Sequence, residues 1–169
     1  SSGISAKNRG KFTAFTETNT SYSWSVTTTD SKTKKKVTKK YTTKTGLSAI
    51  KDLGVTHVQL LPMYDFASGG DESNPVFNWG YDPLNYNAPE GQYSSNPSNP
   101  WARVRELKQA VNTMHQNGLR TIMDVVYNHV ASPDDFSMNL LVPGYFFRTN
   151  PASGEYYNAT GCGNEVASE

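Results

Sequence analysis

Two short stretches of the sequence combine aromatic rings with side chains that bind polar ligands. The stretch 77–83 contains Trp79, Tyr81 and Asp82, and the stretch 124–129 contains Asp124, Tyr127, Asn128 and His129. Flat rings stack on the apolar C–H faces of sugars, while hydroxyl, amide, imidazole and carboxylate groups hydrogen-bond to sugar hydroxyls. A fold that brings the two stretches together would therefore form a polar, aromatic cleft.

The elements predicted around these stretches place both at one edge of a sheet. Residues 55–61 are apolar and β-branched, which predicts a strand, and a long loop follows at 63–99. A helix is predicted over 100–117 and a second strand over 119–126. A strand, helix and strand in this order form a βαβ unit, in which ligands gather at the carboxyl ends of parallel strands.

The predicted helix has clear boundaries. Asn99 is suited to cap it, Pro100 fits the first helical position, and Gly118 ends it. Its apolar stripe contains Val104, Leu107, Ala110, Val111 and Met114. Repeated helix and strand alternation is typical of an α/β fold, either a doubly wound sheet or a (β/α)₈ barrel.

The N-terminal third of the chain has a different composition. Residues 1–20 are predicted to form a short extended segment with turns, and alternation over 12–17 favours a strand there. Residues 21–44 are dominated by Ser, Thr and Lys, which predicts a solvated hairpin turning near Asp30 or a disordered insertion. A basic surface that binds a partner is the functional alternative, since repulsion among the lysines opposes a compact core. Thr45 and Gly54 predict the limits of a helix with Leu47, Ile50 and Leu53 on its apolar side.

Each candidate site residue also has a purely structural interpretation. Asp82 before Pro83 suits the start of a turn, and Trp79 suits a buried plug beneath its loop. Asp124 suits a carboxylate that holds an arginine, and a single histidine such as His129 is more often structural than functional. Only their combination at one sheet edge favours a ligand cleft.

Composition excludes several classes of function. Sixteen basic and fifteen acidic residues give a net charge of +1, which predicts neither nucleic-acid binding nor membrane attachment. The single cysteine excludes an internal disulfide, and no apolar stretch is long enough to span a bilayer. The sequence lacks a G-x-S-x-G elbow, a P-loop and a dinucleotide fingerprint.

Several motifs together resemble those of one enzyme family. The segment 124–129 (DVVYNH) resembles the region that ends the third barrel strand of the α-amylase superfamily, and 54–62 (GVTHVQLLP) resembles its second strand. The segment 77–83 (FNWGYDP) resembles the YNWGYDP signature of type I pullulanases, with Phe77 in place of the first tyrosine. Segments 85–93 and 161–165 are also pullulanase-like, as are 8–12 and 16–17; the lysine-rich stretch at about 21–44 has no such resemblance.

The resemblance implies a fold and a set of roles. The chain is expected to be the N-terminal part, residues 1–169, of a catalytic (β/α)₈ TIM barrel, comprising about strands 2 and 3, with an insertion at about 21–44. Tyr81 is expected to stack on the sugar just before the scissile bond, and His129 to hydrogen-bond to that sugar. Trp79 and Asp82 are expected to shape the cleft. Supporting roles are expected for Asp124, Asn128 and Tyr127, and an arginine further along the chain is expected to hold Asp124.

The resemblance also implies an activity and its requirements. The parent enzyme is expected to hydrolyse α-1,6 branch linkages of α-glucans by a retaining mechanism, with its nucleophilic Asp and acid/base Glu after residue 169. No cofactor is required, although calcium, which favours oxygen ligands such as Asn128 supplies, is considered for the complete enzyme. The expected partners are the glucan and the rest of the same catalytic domain.

Two alternatives remain open from the sequence. One is another debranching enzyme of the superfamily or an amylopullulanase, and the other is a glucan-binding relative without catalysis. Export to the exterior or surface of a bacterium is expected because long glucans do not cross membranes, with a cytoplasmic glycogen enzyme as the alternative.

Overall fold

The computed structural model describes residues 3–67, 72–73 and 76–168. The chain divides into two compact units, one formed by Ser1–Val58 and Arg105–Thr121 and the other by Gln59–Val104 and Ile122–Glu169. Part of the predicted loop at 63–99 lies outside the described residues.

The first segment of the chain contains the predicted turns but not the predicted extended structure. Two 3-10 helices span Ala6–Asn8 and Phe12–Thr16. Asn8 joins them, because its Nδ2 donates to Glu17 Oε1 at 2.6 Å and its Oδ1 accepts from Thr13 Oγ1 at 2.8 Å. The expectation of a strand over 12–17 was wrong, since these side-chain hydrogen bonds stabilise local turns that a period-two pattern does not reveal.

The stretch 21–44 forms a hairpin, which was one of the two structural alternatives predicted for it. Strand β1 (Ser21–Thr29) pairs antiparallel with β2 (Lys36–Lys44), and the register sets Ser21 opposite Lys44 and Thr29 opposite Lys36. Residues 23–44 are all exposed, so the predicted absence of a compact core is confirmed for this stretch.

Helix α1 (Gly46–Asp52) follows the hairpin at about the predicted position. Leu47 is 1% exposed and anchors the helix. Leu53 was predicted on the same apolar side, but it is 75% exposed, so that part of the prediction was wrong. Thr45 occupies the N-cap but its side chain makes no capping hydrogen bond. Gly54, with φ +70°, ends the helix in the left-handed conformation that favours glycine.

Helix α2 (Pro100–Gln116) agrees with the prediction at both ends. Asn99 caps it, with Oδ1 accepting from the amides of Trp101 at 3.0 Å and Ala102 at 3.3 Å. Ala110 and Met114 are fully buried, as the apolar stripe predicted. A short helix α3 (Ser137–Leu141) was not predicted.

The two predicted strands are present but shorter than expected. They are β3 (His57–Leu60) and β4 (Arg120–Met123), which pair in a two-stranded sheet. The amide of Arg120 donates to the carbonyl of Thr56, and the Gln59 amide group donates to Asp124 at 3.2 Å. Pairing therefore advances in the same direction along both strands, as in a parallel βαβ unit.

Candidate functional site

The loop after β3 and the segment after β4 meet at Tyr81 and Asp124. The Tyr81 hydroxyl donates to Asp124 Oδ2 at 2.9 Å, and Gln59 Nε2 donates to the same oxygen at 3.2 Å. The hydrogen bond to the carboxylate raises the pKa of Tyr81, so the phenol stays protonated. Because 39% of Tyr81 is exposed, its ring remains accessible while its hydroxyl is fixed.

A tight turn presents Trp79 beside Tyr81. Gly80 has φ +86°, and a β-carbon there would lie 2.9 Å from the carbonyl oxygen of Pro62, so the turn requires glycine. Asn78 Oδ1 accepts from the Gly80 amide at 2.8 Å, while its Nδ2 donates to the Ala67 carbonyl at 3.0 Å. Trp79 is 62% exposed, which excludes its interpretation as a buried plug.

Asp82 is partly buried directly after this turn. Its Oδ2 accepts from Asn78 Nδ2 at 3.3 Å, and its carbonyl accepts from the Ala67 amide at 2.9 Å. Its Oδ1 is buried without a hydrogen-bond partner in the described part of the chain. The residue therefore has a turn-forming role and one unused carboxylate oxygen.

Tyr127 belongs to an aromatic cluster that sequence reasoning missed. Its ring stacks on Tyr64 with 6.1 Å between centroids and meets Tyr86 edge-on at 5.3 Å. The Tyr127 hydroxyl donates to Asn87 Oδ1 at 2.6 Å. Tyr64 is buried, and its hydroxyl hydrogen-bonds with the backbone of Val126, which fixes the segment after β4.

Tyr86 fixes the next part of the segment. Its hydroxyl donates to the carbonyl of His129 at 2.7 Å, and burial raises the pKa of this phenol well above its ordinary value. The only signal in the sequence for this anchoring is the frequency of tyrosine in the long loop. Their burial and partners depend on contacts that are distant along the chain.

His129 is buried, with 7% of its surface exposed. Its Nδ1 has no hydrogen-bond partner among the described residues. Buried polar atoms are nearly always hydrogen-bonded in folded proteins, so a buried Nδ1 without a partner is unusual.

Asn128 is exposed and borders an open depression of about 600 Å³. Its carbonyl accepts from the Val166 amide at 3.0 Å, which ties this segment to the C-terminal part of the chain. The depression is also lined by Tyr127, Arg148, Thr160 and Glu165. A groove therefore lies directly beside two of the predicted supporting residues.

A group of carboxylates within the long loop was also missed. Asp65, Glu72 and Glu90 have carboxylate oxygens within 4.8 Å of one another, as oxygen ligands of a divalent cation would. Glu90 is fully buried and accepts from the amides of Phe66 and Gln92, and burial raises its pKa. Glu72 is paired with Arg103, which already neutralises part of the charge. The expectation of calcium remains a prediction.

Comparison with known proteins identifies the family. The family model described as "Alpha amylase, catalytic domain" matches residues 41–141. The chain belongs to the α-amylase family. The predicted family resemblance and α/β barrel class are therefore confirmed, and the open two-stranded pairing of β3 and β4 represents an incomplete barrel.

Within the α-amylase family, the chain is similar to pullulanases. It is 48% identical over 164 residues to the pullulanase of Bacillus subtilis, an alignment that covers 96% of this chain and 20% of that protein. It superposes with a TM-score of 0.81 and 45% identity on the pullulanase of Paenibacillus barengoltzii crystallised with maltohexaose and α-cyclodextrin, covering 99% of this chain and 24% of that one.

A chloroplastic isoamylase is also similar. Isoamylase 3 of Oryza sativa subsp. japonica is 34% identical over 127 residues, which cover 68% of this chain and 16% of that protein. The chain thus spans about a fifth or less of the length of these curated relatives. Within the described residues, no helix has the length and apolarity needed to cross a membrane.

Proposed function

We propose that the complete protein hydrolyses α-1,6-glucosidic branch linkages in pullulan, amylopectin and related α-glucans. The observation that carries this proposal is the junction of Tyr81 with Asp124, which joins two family motifs into one accessible aromatic and acidic surface. It is supported by the similarity to a pullulanase crystallised with maltohexaose.

Tyr81 is the proposed sugar platform. Its ring is accessible while Asp124 holds its hydroxyl, so stacking on a glucose unit does not require the side chain to reorient. Trp79, which is more exposed, and Asp82, with one free carboxylate oxygen, would shape the adjoining cleft. These three residues would bind the glucan without reacting with it.

His129 would hydrogen-bond to a hydroxyl of the same sugar. The anchoring of its backbone by Tyr86 supports this role because it fixes the position of the residue, and the contact would be made by the imidazole edge that carries Nε2. Asp124, Asn128 and Tyr127 would maintain the geometry. Gln59 and Tyr81 already hold Asp124, and an arginine elsewhere in the complete protein would add to this support.

The proposed chemistry is that of a retaining glycosidase. Such enzymes use two carboxyl groups about 5 Å apart, one to protonate the leaving oxygen and one to form a glycosyl-enzyme intermediate. We assign neither role to a residue of this chain, whose contribution would be to position the sugar as its ring flattens in the transition state. Export from a bacterium and calcium as an optional ligand form part of the same proposal.

A second candidate function is that of another debranching enzyme. The similarity to isoamylase 3 favours it, because that relative aligns with two thirds of this chain. A glucan-binding relative without catalytic carboxylates is the non-enzymatic alternative.

The test is to incubate the complete protein with pullulan, glycogen or linear amylose. Hydrolysis is measured by reducing-sugar release and by chromatography of the products. Efficient cleavage of pullulan with no cleavage of amylose is expected. Preference for glycogen over pullulan would favour the isoamylase-like alternative, cleavage of amylose an amylopullulanase, and binding without cleavage the non-catalytic relative.

A further inference from the structure

The hairpin formed by β1 and β2 concentrates the positive charge of the chain. Residues 21–44 contain seven of the sixteen basic residues, all lysines, and only one of the fifteen acidic residues, Asp30. The rest of the chain therefore has nine basic and fourteen acidic residues and is net negative. Such an asymmetry is a local electrostatic feature that the net charge of +1 conceals.

Lys44 pairs with Asp52 of helix α1 at 2.7 Å, but the single carboxylate of the hairpin does not neutralise the other lysines. Asp30 Oδ1 accepts from the amide of Thr33 at 2.7 Å, from its hydroxyl at 2.9 Å, and from the amide of Lys32 at 3.0 Å. These hydrogen bonds lower the pKa of Asp30, with the Thr33 amide contributing most. Asp30 thus stabilises the turn.

The turn also holds a lysine in a conformation that lysine does not favour. Lys34 has φ +56°, a left-handed conformation that suits glycine or asparagine. Its amide donates to the Asp30 carbonyl, and the Asp30 amide donates to the Lys35 carbonyl, both at 2.9 Å. A lysine at this position presents charge at the tip of the hairpin at a conformational cost.

The lysines are not needed to hold the hairpin together. Trp24 stacks on Tyr41 across the strands at 5.5 Å between centroids and on Tyr22 at 6.0 Å. On the other face, hydroxyl pairs bridge the strands, with Ser23 and Thr42 at 2.7 Å and Thr27 and Thr38 at 2.9 Å. Cross-strand aromatic and hydroxyl pairs stabilise a hairpin. The lysines of β2 lie opposite Ser, Val or Thr residues of β1 and so form no such pair.

We propose that this hairpin is a docking element for a polysaccharide that bears phosphate groups. The proposal rests on the proposed function, since the docked polymer would be a phosphorylated α-glucan that the same protein debranches. Lysine ammonium groups bind phosphate as point charges, and the intervening Ser and Thr hydroxyls donate hydrogen bonds to phosphate oxygens. The Tyr22, Trp24 and Tyr41 face offers apolar contact to sugar rings of the same polymer.

The geometry favours a polysaccharide over a membrane surface. The lysines nearest the turn, Lys32, Lys34, Lys35 and Lys36, are separated along the strands from the stacked rings. A membrane-binding amphipathic element needs a continuous apolar face, whereas Lys39 lies opposite Val26 on the face of the rings and interrupts it. The hairpin also lacks arginine, which is preferred for nucleic-acid recognition.

The experiment compares affinity electrophoresis of the complete protein in phosphate-rich amylopectin and in the same amylopectin after enzymatic dephosphorylation. The wild type is expected to bind the phosphorylated polymer more tightly, and added salt should weaken this preference. Changing Lys34, Lys35, Lys36 and Lys40 together to Gln should weaken binding to the phosphorylated polymer about tenfold while leaving the dephosphorylated polymer unaffected.

The matched control changes the same four lysines to Arg, which preserves charge and should preserve the preference. Pullulan hydrolysis by both variants is measured in parallel, and it should equal that of the wild type because the hairpin contains none of the proposed sugar-site residues. If the wild type itself does not hydrolyse pullulan, the result counts against the proposed function and not against the docking surface.

Three results would overturn the docking proposal. The first is equal binding of the wild type to both amylopectins, and the second is unchanged binding by the Gln variant. The third is tighter binding of the wild type to polygalacturonate or to anionic phospholipid vesicles, both tested as competitors, than to the phosphorylated glucan. A circular dichroism melt of each variant confirms that a change in binding does not arise from unfolding.

Discussion

At the scale of single residues, the candidate site depends on how Tyr81 is held. Its hydroxyl is bound to Asp124 while its ring is left accessible, and Asp124 is itself bound to Gln59. A ring that is fixed before the ligand arrives loses little conformational entropy on binding, which favours a precise fit to the sugar.

Changing Tyr81 to Ala in the complete protein should lower kcat/KM on pullulan by about 10²-fold or more, because the sugar platform is lost. Tyr81→Phe preserves the ring and removes only the bond to Asp124, so its loss should be smaller. Steady-state kinetics of both variants test this, and equal losses would show that the hydroxyl and not the stacking surface matters.

His129→Ala should also lower kcat/KM by about 10²-fold, since the proposed imidazole contact to the sugar disappears. The control is Tyr86→Phe, which removes the hydroxyl that holds the His129 carbonyl but preserves the imidazole. Wild-type kinetics in His129→Ala would contradict the assigned role, and the melting temperature of each variant separates a local effect from misfolding.

At the scale of elements, the long loop and helix α2 join the two strands. The sequence predicts both ends of α2 because capping is local, and Asn99 satisfies two amides of the first turn. The sequence does not predict the ends of β3 and β4, which are shorter than their apolar runs, because strand pairing and not composition determines where a strand ends.

Asn99→Ala should destabilise the fold by about 1 kcal/mol, because two amides of the first turn of α2 lose their acceptor. Asn99→Asp keeps a carboxylate acceptor beside the positive end of the helix dipole and should retain most of the stability. Urea denaturation of the complete protein compares the two, and equal midpoints for Asn99→Ala and wild type would mean that the cap contributes nothing.

At the scale of the whole molecule, apolar strand surface is left uncovered in this chain. Ile122, Met123 and Val125 are each between 40% and 42% exposed, and Leu61 is 55% exposed. Two short strands also leave unpaired edges, which promote association between molecules. In the complete protein, further barrel strands and helices would cover these surfaces.

The isolated 169-residue chain is therefore expected to associate, to melt over a broad range and to release no sugar from pullulan. Light scattering, a calorimetric scan and a reducing-sugar assay test these three expectations. A sharp melt of a monomer would contradict the first two, and hydrolysis by the purified chain would contradict the assignment of the catalytic carboxylates to other parts of the protein.

The sequence by itself determined the family and the order of the principal helices and strands, because motifs, caps and alternation are local signals. For residues 21–44 it left a hairpin and a disordered insertion open, and the structure decided for the hairpin. Only the tertiary structure decided which residues meet, such as Tyr81 with Asp124, and which carboxylates are buried, such as Glu90. The turns near Asn8 and the anchoring by Tyr64 and Tyr86 also required it. These features depend on hydrogen bonds and burial between groups that the pattern of a single segment does not encode.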